Sequence, residues 1–343
     1  MDDKYLKLKQ TIVKIPDQLQ QSWDEIKTIK FPSNYLNLKK VVFCGMGGSS
    51  LGARIADAYL INAIRVPFEI FNGYHLPNYC DSDTLVVCDS YSGNTEEVIS
   101  CMQDALVRDL KIVVITSGGK LAQIANEYKL PMHILNPVNN PSDQPRNALG
   151  YSVGSVLGVL SSLGLASIDD GNISQACDLM HNMALELFSD QGKALYLAEN
   201  LNKKAIMLIT AAHLYGPAFV FKNQINETAK VFSSIFEIPE LNHHLMEGLQ
   251  FPKDLNKQMV FLLVKSPDYF ERIKFRFDIT KDVIAKNGYE VFEYETTSKG
   301  KLNQIFEVLM FGAAVVYYLA FLNKVDPNKI PWVDYFKERL EKF

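Results

Sequence analysis

The side chains best suited to chemistry in this chain lie in a short hydroxyl-rich turn. Ser90, Ser92 and Thr95 stand close together, with Gly93 and Asn94 between them. The apolar run 84–88 comes before them and reads as a buried parallel strand. Residues 95–106 come after and read as a helix with Glu96 and Glu97 in its first turn. A strand, a tight turn and a helix N-terminus together make an anion site. Unpaired backbone N–H groups and the positive end of the helix dipole converge there, and the hydroxyls add donors. The ligand this predicts is a phosphate group; the plainer alternative is a set of turn and capping residues.

A second turn, Gly45-Met46-Gly47-Gly48-Ser49-Ser50-Leu51-Gly52, follows the apolar strand 40–44 and opens a helix running to about Asn62. Its glycines allow a ligand to approach the backbone closely. The spacing departs from a dinucleotide fingerprint: Gly45, Gly47 and Gly48 are crowded, and the second strand ends in Phe71-Asn72-Gly73 without an acidic residue. No Lys-Ser or Lys-Thr pair follows, so it is not a nucleoside-triphosphate loop either. In an open parallel sheet the two turns share the carboxyl edge, where ligands bind.

These turns need a scaffold, and the rest of the chain supplies a strand–helix rhythm. Strands are predicted at 40–44, 66–71, 84–88, 111–116 and 132–135, closed by a helix over 154–165. Residues 1–30 and 170–200 read as helical. The rhythm restarts with strands at 204–210, 258–264 and 289–294, a helix from Gly216 to about Ser233, and terminal helices over 301–323 and 331–342. The expected fold class is therefore α/β, with two similar parallel-sheet units. The expected division is an N-terminal helical segment 1–34, a first unit 35–168, a helical connection 169–200 and a second unit 201–343.

Composition narrows the partners. The chain has 343 residues, 48% of them apolar, and a net charge of −4. No basic run or basic–aromatic patch points to nucleic acid. The five cysteines, Cys44, Cys80, Cys88, Cys101 and Cys177, lack metal-like spacing. They suit a reducing cytoplasm, with Cys44 and Cys88 as small buried hydrophobes. The N-terminal residues lack a signal-peptide pattern. The apolar stretch 305–322 is long enough to suggest a membrane span, but it contains Glu307 and Gly312; it reads instead as a helix buried between domains or subunits. No membrane, metal or cofactor is expected.

The two turns together resemble the SIS domain, which binds phosphosugars. Four further segments resemble one SIS family, the bifunctional phosphoglucose/phosphomannose isomerases. They are Pro145-Arg146-Asn-Ala-Leu-Gly-Tyr-Ser152; Lys222-Asn-Gln-Ile-Asn-Glu227-Thr228-Ala-Lys230; Pro239-Glu-Leu-Asn-His243; and Val325-Asp-Pro327 followed by Lys337. Three positions depart from the family pattern: Thr228 and His244 stand where asparagine is usual, and Lys324 where glycine is usual. Adjacent His243 and His244 leave open which histidine acts.

The resemblance implies two SIS domains, each a parallel sheet flanked by helices in a flavodoxin-like αβα sandwich. It implies an aldose–ketose isomerase acting on hexose 6-phosphates without a cofactor, built as a homodimer with shared active sites. By resemblance Gly47, Gly48, Ser49, Ser90, Ser92 and Thr95 hold the phosphate. Glu227 moves the proton between C1 and C2, and its plainer alternative is an exposed ion pair with Lys230. His243 opens the ring and, in such isomerases, often comes from the neighbouring subunit. Lys337 assists ring opening or binds a hydroxyl, and Arg146 stabilises the enediolate, unless it merely pairs with Asp143. A non-catalytic phosphosugar sensor and an SIS isomerase of another sugar phosphate are the alternatives.

Overall fold

The computed structural model describes residues 2–189, 191–340 and 342. Five parallel strands make the first sheet: β1 (Lys40–Gly45), β2 (Phe68–Phe71), β3 (Thr84–Ser90), β4 (Lys111–Thr116) and β5 (Met132–Ile134). The second sheet has four: β6 (Ala205–Ala211), β7 (Ser233–Ile238), β8 (Met259–Lys265) and β9 (Glu290–Glu295). The helices are α1 (Asp3–Val13), α2 (Ile15–Ile26), α3 (Leu51–Leu60), α4 (Glu96–Val107), α5 (Gly119–Glu127), α6 (Leu149–Ser162), α7 (Asp170–Glu186), α8 (Lys193–Leu201), α9 (Tyr215–Glu227), α10 (Glu271–Lys286), α11 (Lys301–Leu322) and α12 (Pro331–Leu340).

The strand order is β2-β1-β3-β4-β5 in the first sheet and β7-β6-β8-β9 in the second. Both orders reverse direction after their first strand, so each sheet has a switch point, between β1 and β3 and between β6 and β8. Helices leave a switch point toward opposite faces and open a crevice at the carboxyl ends of its strands. In the first sheet Gly45 lies opposite Asp89, so the two turns read from sequence leave the sheet side by side. The internal repeat is thus one of topology, with one strand fewer in the second unit.

Burial follows the period of two that strands impose. Val41, Phe43, Leu85, Val87, Val113 and Ile115 face a core shared with α2, α3, α6 and the second unit. Val42, Cys44, Val86, Cys88, Ile112 and Val114 face α4 and α5. The apolar helix α11 is the one described helix long and apolar enough to cross a membrane, and 89% of its apolar window is buried inside the protein, against α1, α7, α8 and α9. Its single acid is accommodated rather than solvated: Glu307 accepts hydrogen bonds from the Thr297 and Ser298 N–H groups and from Tyr294 Oη at 2.8–3.1 Å.

Two element expectations fail. The helix expected from Gly216 to about Ser233 stops at Glu227, and 233–238 form strand β7. Phe232, Ile235 and Phe236 continued an apolar pattern that a helix or a strand could carry, and tertiary pairing with β6 decides it. The helix expected from 154 begins earlier, at Leu149, and is buried along its length, so its start shows no polar face.

Candidate functional site

The turn between β3 and α4 is held by its own hydroxyls. Ser90 Oγ lies 2.8 Å from Thr95 Oγ1 and accepts the Gly93 N–H at 3.1 Å. Ser92 Oγ accepts the Asn94 N–H at 3.3 Å. Thr95 is the N-cap of α4, and its hydroxyl makes no capping bond to that helix. This exceeds what a plain cap requires: the hydroxyl points away from the helix it precedes, toward Ser90. Gly93 has φ +70°, and a Cβ there would lie 1.8 Å from the Gly118 carbonyl, so only glycine fits.

The opposite wall is a 3-10 turn at Gly47–Ser50. Ser49 Oγ accepts the Tyr91 N–H at 2.9 Å, tying the two turns together across the crevice. Beneath them Asp89 is buried, and burial pushes its carboxyl well above the ordinary carboxylate range despite the nearby Ser49 hydroxyl.

The crevice meets a second cluster through Gly48. A Cβ on Gly48 would lie 2.8 Å from the Arg146 nitrogen and 2.9 Å from the Pro145 carbonyl carbon, so glycine lets the two turns touch. Pro145 opens the 3-10 turn Pro145–Asn147, which carries Arg146. The Arg146 side chain is almost fully buried, and its guanidinium is fixed on every side. Nε donates to Thr228 Oγ1 (3.2 Å), Nη1 to Gln144 Oε1 (2.9 Å), and Nη2 to the carbonyls of Pro327 (2.6 Å) and Asn328 (3.2 Å). Its ionic partner is Glu227, at 3.9 Å, and not Asp143. Burial lowers the Arg146 pKa while Glu227 raises it.

Glu227 is the last residue of α9 and is partly exposed, so its carboxylate faces Arg146 and still reaches solvent. The ion pair with Lys230 is not formed. Lys230 adopts φ +59° beyond the helix, and its Nζ donates instead to the Glu227 and Lys329 carbonyls. Desolvation, and after it the Arg146 charge, hold its ammonium down at about 8, although part of the side chain keeps contact with solvent. Gln224, one turn earlier on α9, donates to the Arg146 carbonyl at 3.3 Å.

The structure therefore brings Gly48, Ser49, Ser90, Ser92, Thr95, Arg146 and Glu227 into one region. It does not bring His243 or Lys337 to it by any direct bond among the described residues. His243 is exposed on a short 3-10 turn after β7, and Lys337 is on α12, no residue of which is buried. The structure also brings Lys230, Gln224 and Thr228 into this region, none of which the sequence pointed to by its own residue type. Their signal was their place in the Lys222–Lys230 motif, where only Glu227 was singled out. A separate cavity of about 580 Å³ lies among α7, α8 and α11, lined by Met183, Lys193, Glu307 and Phe311, and none of the candidate residues borders it. Among the described residues no group of three or more His, Cys, Asp or Glu could hold a metal.

Known proteins share both sequence and fold with this chain. The family described as bacterial phospho-glucose isomerase C-terminal SIS domain matches residues 190–340. A bifunctional phosphoglucose/phosphomannose isomerase of Caldicellulosiruptor bescii is 30% identical over 337 residues, covering 96% of this chain and 98% of the relative. One from Aquifex aeolicus is 29% identical over 329 residues, covering 94% and 95%. The crystal structure of a hypothetical protein from Thermus thermophilus superposes with a TM-score of 0.76 over 96% of this chain and 89% of that one, at 16% identity, a likeness of fold.

Proposed function

Because the chain belongs to the bifunctional phosphoglucose/phosphomannose isomerase family, we propose that it interconverts glucose 6-phosphate and mannose 6-phosphate with fructose 6-phosphate. The observation that carries this reading is the placement of Glu227 and the buried Arg146 guanidinium 3.9 Å apart, beside a hydroxyl-lined phosphate crevice. The crevice grips the phosphate through Ser49, Ser90, Ser92, Thr95 and the backbone of Gly47 and Gly48, which orients the sugar chain. Glu227 takes the proton from C2 of the open aldose and returns it at C1. Arg146, fixed before substrate arrives, stabilises the enediolate oxygens between those steps. Rotation about C2–C3 of the open chain presents either C2 epimer to the same carboxylate, which accounts for both aldoses.

Ring opening falls to His243, supplied by a second copy of the chain, with Lys337 assisting. The exposed position of His243 supports this sharing. So does the exposed apolar face of α12, with Trp332, Tyr335 and Phe336. The five cysteines are unpaired and buried, in keeping with a reducing, cytoplasmic setting. Purified protein incubated with fructose 6-phosphate, without added metal, should form both glucose 6-phosphate and mannose 6-phosphate. Turnover to neither would refute the isomerase reading, and glucose 6-phosphate alone would remove the dual specificity.

A further inference from the structure

Lys230 occupies a position that the proton transfer described above does not explain. It follows the end of α9 in a left-handed backbone conformation that a side-chain-bearing residue adopts at a cost. That conformation turns the chain so that Nζ comes back to the Glu227 carbonyl, one of the acceptors left unpaired at a helix C-terminus. The same ammonium holds the Lys329 carbonyl at 2.6 Å. Arg146 Nη2 holds the two carbonyls just before it, those of Pro327 and Asn328. Two cations thus grip three successive carbonyls of the segment leading into α12, and both also contact Glu227, one through its carboxylate and one through its main chain.

We propose that protonated Lys230 is a positioning residue for the isomerase: it fixes the end of α9 that carries Glu227 and, with Arg146, straps segment 327–329 across the catalytic pair. Loss of its proton loosens that strap. The proposal rests on the isomerase reading and adds to it a residue and an alkaline limit. A neutral amine keeps two hydrogens but loses the charge assistance of both bonds and its attraction to the helix C-terminus. The charged groups facing Nζ are Arg146, Asp326 and Glu227. Asp334 on α12 acts on the same cluster through Arg146. Desolvation, and after it the Arg146 charge, outweigh the two acids and hold the ammonium down at about 8, so turnover should fall as pH rises through that value.

The test measures kcat and KM for fructose 6-phosphate from pH 6 to 10 in wild type, Lys230→Met and Lys230→Arg. Binding of inorganic phosphate by calorimetry and the melting temperature are followed alongside. At pH 7, Lys230→Met should lower kcat by roughly tenfold to a hundredfold, the scale of a lost charged hydrogen bond, with KM and phosphate affinity changed less than about threefold. Lys230→Arg, whose guanidinium stays charged, should recover most of kcat and move the alkaline limb up by more than about one pH unit. A Lys230→Met kcat within about threefold of wild type would overturn the proposal. So would a Lys230→Arg limb that coincides with the wild-type limb, whether or not the methionine variant folds. Absence of any wild-type turnover would instead sink the isomerase reading on which the proposal rests.

Discussion

The two sheets share one strand order, yet their switch points are used in opposite ways. Between β1 and β3 the turns carry glycine and small hydroxyls, with no large side chain between them among the described residues. Between β6 and β8 the corresponding space is filled by the protein itself. Gln304 of α11 accepts hydrogen bonds from His213 Nε2 and Ser266 Oγ, each at 2.7 Å, and donates to Asp268 Oδ2 at 2.7 Å and the Ser298 carbonyl at 3.0 Å. Its amide uses both donors and both acceptor sites, which is what makes a buried polar plug tolerable. Tyr269 closes the space by donating to the Ala211 carbonyl at 2.7 Å and meeting the His213 ring edge-on. A shared topology therefore determines where a site can form, and side-chain volume determines whether it does. In the proposed mechanism the second unit contributes to the chemistry through the end of α9 and not through its own crevice.

The sharpest way to break this contrast is Glu227→Gln. It should lower kcat by about a thousandfold, within the range for removing a general base, while sugar-phosphate binding measured by calorimetry persists. Near-normal turnover would remove Glu227 from the chemistry and, with it, the second unit's catalytic contribution. Next in size is Gly48→Ala, which forces the crevice wall away from the Arg146 backbone. Steady-state kinetics should show kcat/KM lower by roughly a hundredfold, the scale of a misplaced catalytic group, and the melting temperature should fall as well, because the added methyl meets backbone that must shift. The second crevice should respond in the reverse manner. Gln304→Leu leaves His213, Ser266 and Asp268 short of partners and should cost about 3 kcal/mol of stability by denaturant titration, with kcat within about twofold. A large loss of kcat there would show that the plug, too, serves catalysis.

The smallest effect is on pH. Burial lowers the pKa of His213 and of His133, which sits between Ser155 and Glu25. Below about pH 6.5 the unfolded chain then binds protons that the folded chain refuses, so stability falls as pH drops, by at most about 1.4 kcal/mol per pH unit for each histidine. His213→Gln should flatten its share of that slope in melting curves taken from pH 5.5 to 7.5. An unchanged slope would mean that the plug's histidine accepts its proton in place.

Much of the fold was legible because its signals are local. Within the runs 40–44, 84–88 and 111–116, residues 41–44, 85–88 and 112–115 are apolar without interruption, as strands covered on both faces must be, and each run lies within an observed strand. Thr95 announced a helix start, and α4 begins one residue later. Strand β7 was not legible, since its six residues carry mixed burial and follow a helix without a glycine or proline between them. In the site, the hydroxyl turn was readable from its own residue types. Arg146 and Glu227 were readable only through motifs, because each, taken alone, resembles an ordinary surface charge. Lys230 was misjudged on the assumption that the helix continued. Helical spacing would place it beside the Glu227 carboxylate, but the left-handed turn after Thr228 sends it to the carbonyl instead.

Sequence reading alone yielded the strand–helix alternation, the two turns at the carboxyl edge of the first sheet, and the burial of 305–320, because periodicity and backbone preference act over a few residues. Only the tertiary structure decided that Arg146 meets Glu227, that Gly48 must be glycine, and that His213 and Gln304 seal the second crevice. Those outcomes join residues 78 to 98 positions apart by contact, such as Arg146 with Gln224 and with Gly48, and no local preference encodes a distance of that kind. They rest on which helix packs against which, a choice made by the whole core when it closes.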